Sequence, residues 1–104
     1  MPLEKLINLH DGYRRIFTVG RSRLMLLQLE GEPHLIAADC PHMGADLHYA
    51  SLYQTGDKPI IRCAQHGMEF NIRNGRNLSQ QSACQPLTIF EVVYQGNDVG
   101  VWVN

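Results

Sequence analysis

Hydrophobic and polar residues alternate over short stretches of this chain and seldom recur at helical spacing, the pattern of an all-β domain. "RLMLLQL" (Arg23 to Leu29) and "HLIAAD" (His34 to Asp39) flank "EGEP", which marks a hairpin turn; Met25, Leu27 and Leu29, or their alternates, are expected to face a core. "IIRC" (Ile60 to Cys63) and "MEFNI" (Met68 to Ile72) predict two strands around "AQHG", followed by an Asn-Gly turn at Asn74 and Gly75. The run "LTIFEVVYQ", the turn "GND" and the run "VGVWVN" predict a closing hairpin. In it Val99, Val101 and Val103 share one apolar face, and Trp102 is expected in the core or on the sheet face.

These segments predict one domain over residues 1–104. Antiparallel base sheets, expected to pack as a β-sandwich, cover about 1–38 and 86–104, and a loop-rich insertion covers about 39–85. Loops carried on rigid sheets are where binding chemistry concentrates.

The insertion holds "DCPHMGADL" and "RCAQHGMEF", each with one cysteine and one histidine. Two thiolates and two imidazoles suit either a tetrahedral zinc ion or iron in a sulfide cluster. Zinc fingers pair like ligands within one element, whereas here each loop supplies one of each kind: Cys40 with His42, and Cys63 with His66. A [2Fe-2S] cluster with two sulfur ligands on one iron and two nitrogen ligands on the other calls for such mixed loops, since each loop must reach both irons. Gly44 and Gly67 follow the histidines and are expected to let backbone amides approach and donate to bridging sulfide.

Composition narrows the partners. Nine basic and ten acidic residues leave a net charge of −1, so neither a nucleic-acid groove nor a polybasic membrane anchor is indicated. The amino-terminal stretch carries Glu4, Lys5, Asp11, Arg14 and Arg15 and no long apolar run, so no signal peptide or membrane span is expected. Three cysteines are too few for a secreted disulfide framework, and a reducing, cytoplasmic setting is the expectation. No nucleophile-base pair, phosphate loop or dinucleotide motif is visible, so the chain is not expected to be an enzyme by itself.

"CPHMGADL" and "CAQHGMEFNIRNG" resemble the two ligand boxes of the Rieske family, C-x-H followed by C-x2-H, and the similarity continues through the closing hairpin. It is nearest to the stand-alone Rieske ferredoxins of ring-hydroxylating oxygenase systems. The resemblance implies one [2Fe-2S] cluster per chain, with Cys40 and Cys63 on a buried iron and His42 and His66 on an outer iron. It also implies a one-electron carrier between a flavin-dependent reductase and a terminal oxygenase, through transient contacts. The other readings are a small Rieske-like subunit of a nitrite reductase and, in a different class, a structural zinc or apo interaction module.

The chain also departs from its relatives. Where respiratory Rieske proteins carry a loop-to-loop disulfide it has Ala45 and Gln65, and where they carry a serine and a tyrosine bonded to cluster and ligand sulfur it has Met68 and Phe70. Loss of those hydroxyl donors predicts a potential near the low end of the Rieske range of about −150 to +300 mV. The potential is also expected to fall with pH once His42 or His66 loses a proton in the oxidised form. The segment between the boxes is longer than in the ferredoxin branch, and "LSQQSA" lacks that branch's proline. Cys84 is expected to pack as a small hydrophobe, and His10, His34 and His48 to be solvated loop residues. Met43 and Leu47 are expected either to form a docking rim or to pack their loop.

Overall fold

A computed structural model of the chain describes residues 1–41, 44, 46–64, 67–79 and 85–102. Four two-residue turns, at residues 20–21, 30–31, 56–57 and 96–97, set most of the strand pairing. The strands are β1 (Pro2–Lys5), β2 (Arg14–Val19), β3 (Ser22–Leu29), β4 (Glu32–Ala37), β5 (Ser51–Thr55), β6 (Lys58–Arg62), β7 (Glu69–Asn71), β8 (Ile89–Phe90), β9 (Val92–Gln95) and β10 (Asp98–Val101). They make three antiparallel sheets, ordered β1-β10-β9, β2-β3-β4-β8 and β5-β6-β7. Helical structure among the described residues is limited to 3₁₀ turns at Leu6–Asn8 and Leu47–Tyr49, and no helix is long and apolar enough to cross a membrane. The fold is thus all-β, as the alternation predicts.

The first hairpin turns on Glu30 and Gly31 alone, so Glu32 and Pro33, expected in the turn, belong to β4. Pro33 lies opposite Gln28, whose amide points away to the Tyr13 carbonyl at 3.1 Å. The missing proline N–H therefore interrupts no bond between β3 and β4. "TGDKP" repeats the device: Thr55 pairs with Lys58 and Gln54 with Pro59, giving a β5–β6 hairpin that the hydrophobic pattern did not announce.

The run "LTIFEVVYQ" is not one strand. Ile89 and Phe90 pair with Ile36 and Leu35 in the four-stranded sheet, whereas Val92–Gln95 pair with β10 in another. Glu91 is the step between sheets, and only the second half of the run joins the expected hairpin.

Strand β3 is buried on both faces. Leu24 and Leu26, with Leu35, Val99 and Val101, form the core between the two base sheets. Met25 and Leu27, with Ile36 and Ala38, form a second core with Leu47, Ile61, Phe70, Ile72, Leu87, Cys40 and Cys63. Both sets of alternates face a core, because the β3–β4 hairpin is the middle layer of three. Val103 lies outside the described residues; Trp102 follows the end of β10 and is 70% exposed, so it is not a core residue.

Candidate metal centre

Cys40 leaves β4 three residues after its end, and Cys63 directly follows β6. Both are thiols, each is 1% exposed, and both belong to the second core.

The two loops are closed by the same local rule. In the first, the Leu47 amide donates to the Ala38 carbonyl at 2.8 Å, Asp39 bridges Asp46, and the Gly44 amide donates to the Cys40 carbonyl at 2.7 Å. In the second, the Cys63 amide donates to the Met68 carbonyl at 2.8 Å, Arg62 pairs with Glu69, and the Gly67 amide donates to the Cys63 carbonyl at 2.9 Å. Each box is a hairpin end pinched by a bond from a glycine amide to the cysteine carbonyl four positions before it. Gly44 and Gly67 sit at φ +69° and +65°, a conformation costly for residues with a side chain. Their own amides donate to the cysteine carbonyls, so both glycines close the turn.

Different groups hold the two boxes in place. Behind the first, Arg14 Nη1 on β2 donates to the carbonyls of His48 and Ala50 at 2.7 and 2.5 Å, fixing the 3₁₀ turn that follows the loop. Burial pushes the Arg14 pKa down, yet the group remains a cation because arginine starts so high. Asp46 caps the same turn by accepting from the His48 amide at 2.9 Å. Arg23 at the start of β3 donates to Asp39 and lies 3.6 Å from Asp46, gripping both sides of the loop's neck.

Behind the second, Met68 and Phe70 are buried, at 6% and 0% exposure, in the core that holds the cysteines. "NIRNGRN" then folds as three successive Asx turns: Asn71, Asn74 and Asn77 side chains accept from the amides of Arg73, Arg76 and Ser79 at 2.8–2.9 Å. Gly75 is essential to this path. It has φ +79°, and a Cβ there would lie 2.1 Å from the Leu87 carbonyl oxygen. The returning segment is tied on by the Leu78 amide to the Glu69 carbonyl, 2.8 Å, and by the Glu69 amide to Ser79 Oγ, 2.9 Å. Tyr53 donates to the Glu69 carboxylate.

Of the residues singled out in the sequence, Cys40 and Cys63 are brought into one core, whereas His42, His66, Met43 and Cys84 lie outside the described residues. Leu47 is fully buried and packs its loop instead of forming a rim. His48 is half-buried and stacks edge-on against the exposed Tyr49, and His10 is exposed. His34 is no loop residue: it is buried in β4, with Nε2 3.1 Å from Glu32 Oε1 but off the axis of a hydrogen bond. Burial lowers its pKa, opposed by the Glu32 charge and helped by Arg73. The anchors Arg14 and Arg23 were not anticipated; the repeated asparagines of "NIRNGRN" were a readable signal for the turns.

The sequence profile of the Rieske [2Fe-2S] domain matches residues 2–91. The chain is 27% identical over 92 residues, 88% of its length and 71% of the relative's, to the ferredoxin component of the alkene monooxygenase system of Xanthobacter autotrophicus. It superposes with a TM-score of 0.81 on the ferredoxin of carbazole 1,9a-dioxygenase from Nocardioides aromaticivorans, at 22% identity, covering 97% of this chain and 94% of that one. A chain from a complex of reduced oxygenase and oxidised ferredoxin of carbazole 1,9a-dioxygenase gives a TM-score of 0.79 at 25% identity, covering 98% and 100%.

Proposed function

The chain belongs to the Rieske [2Fe-2S] domain family, whose members carry a [2Fe-2S] cluster, and from that premise we propose that it is a one-electron carrier of an oxygenase system. In this reading Cys40 and Cys63 hold the inner iron, and His42 and His66 hold the outer one. The cluster supplies a one-electron couple when bound, and the chain's own residues shape its surroundings. The observation that carries the assignment is the pair of buried thiols, each in a hairpin end closed by the same cysteine-to-glycine turn. Soft sulfur donors in an apolar core suit the inner iron of a mixed-ligand site.

Electrons would arrive from a flavin-dependent reductase and leave to a terminal oxygenase, in the cytoplasm and through short-lived contacts. The single-domain organisation, with base sheets over about 1–38 and 86–104 and an insertion over about 39–85, belongs to the same proposal. Support for the oxygenase side comes from the likeness to ferredoxin components of oxygenase systems. Met68 and Phe70 share the core that holds Cys40 and Cys63 and bring no hydroxyl donor to it, so the potential should fall near the low end of the Rieske range.

The test is EPR of dithionite-reduced protein purified without oxygen, with iron and sulfide analysis. A rhombic signal of mean g below that of all-cysteine ferredoxins, with about two irons and two sulfides per chain, is expected. Zinc, or no metal, would overturn the proposal. Stable copurification with a nitrite reductase would move the chain from free carrier to subunit. Protein-film voltammetry giving a strongly positive potential would refute the low-potential expectation.

A further inference from the structure

The two ligand boxes differ in the charge they present beside the cluster. At the neck of the first, Arg23 is engaged by both Asp39 and Asp46, which leaves that neck with one surplus negative charge. At the second, Arg62 is the last residue of β6, directly before Cys63, and is exposed. Its guanidinium lies along the backbone of Gly67: a Cβ there would be 3.2 Å from Nη2, 3.5 Å from Nε and 3.8 Å from Cζ. Gly67 follows His66, so this cation spans from one ligand's neighbour to the other's.

Glu69, its cross-strand partner, accepts from Tyr53 and offsets the charge only from a distance: among the described residues the Arg62 side chain forms no ion pair and no hydrogen bond. Absence of a side chain at Gly67 lets the planar group settle against the loop, so the charge is held beside the box instead of waving on a long stem.

We propose that Arg62 is a fixed positive anchor at the electron-exchange edge, and that it selects a redox partner protein presenting carboxylates to that edge. This rests on the proposed role of Cys63 and His66 as cluster ligands. A unit charge next to the exchange point acts mainly on the encounter, raising the association rate for anions and lowering it for cations.

Stopped-flow oxidation of the dithionite-reduced, cluster-loaded protein tests this without the natural partner. The probes are ferricyanide, which accepts one electron to become ferrocyanide, and the tris(phenanthroline)cobalt(III) cation, which is reduced by one electron to cobalt(II). At about 10 mM salt, where screening is weak, R62Q should slow the ferricyanide reaction by about fivefold, and R62E by roughly the square of that. Both variants should speed the cobalt reaction, R62K should restore only part of the wild-type selectivity because its charge is not held against Gly67, and the differences should shrink at high salt. K58Q removes the same charge from the far end of β6 and should change the ratio of the two rates clearly less than R62Q does. Reduction potentials of all variants, measured by voltammetry, separate encounter from driving force. Equal effects of K58Q and R62Q, or a rate ratio untouched by R62E, would overturn the anchor. A wild-type protein that loads no cluster would instead overturn the function on which it rests.

Discussion

The two cysteine loops share a turn and differ in what holds it. The first adds charge to the packing of Leu47: Arg14 reaches from β2 to two carbonyls, and Arg23 ties Asp39 to Asp46. The second is held by packing and backbone: Met68 and Phe70 are buried and Gly75 threads under Leu87. One local device can thus be supported by ionic or apolar means, and the two supports should fail under different stresses.

The largest effect is expected on the apolar side. Phe70→Ala empties the centre of the second core and should lower stability by about 3–5 kcal/mol, measured by denaturant unfolding. An equal loss from the exposed Tyr49→Ala would contradict the claim that packing carries this box.

On the ionic side, Arg14→Met keeps much of the side-chain bulk and removes the donor to the His48 and Ala50 carbonyls. We expect a loss of about 2–3 kcal/mol, with faster bleaching of the visible cluster absorption. Bleaching at the wild-type rate would show that the first loop does not depend on this clasp.

A smaller effect concerns pH. His34 has a folded pKa below its ordinary value of about 6.5, so the unfolded chain binds the proton more readily. Stability should be level above that value and fall as pH drops below it, down to the folded pKa. His34→Gln should flatten this limb; a slope retained in the variant would assign it to another group.

The smallest belongs to Arg23→Gln. Its ion pairs are two-fifths exposed, so the loss should be about 0.2–1 kcal/mol, visible in Tm at low salt and absent at high salt. A salt-independent loss would mean that Arg23 acts by packing.

Much of this was legible in the chain. The mixed cysteine-histidine loops carry the family resemblance because one chemistry demands both residue types in both places. The β3–β4 and β9–β10 hairpins followed from alternation and turn residues. In "RLMLLQL" both alternating sets are apolar, so the pattern could not say that both faces would be covered. "SLYQT" alternates too weakly to announce β5, and Glu91 breaks a run that looks continuous only because its halves join different sheets. Arg14 was unreadable for a deeper reason: its partners are backbone carbonyls 34 and 36 residues away, and carbonyls have no sequence signature.

The β3–β4 hairpin is a party wall, with Leu24, Leu26 and Leu35 facing one room and Met25, Leu27 and Ile36 the other. Demolishing one side leaves a bare greasy surface on the other, so excising residues 39–85 should yield a sticky remnant, not a minimal scaffold. Events at the cysteines and the cohesion of the distant sandwich therefore share a single partition.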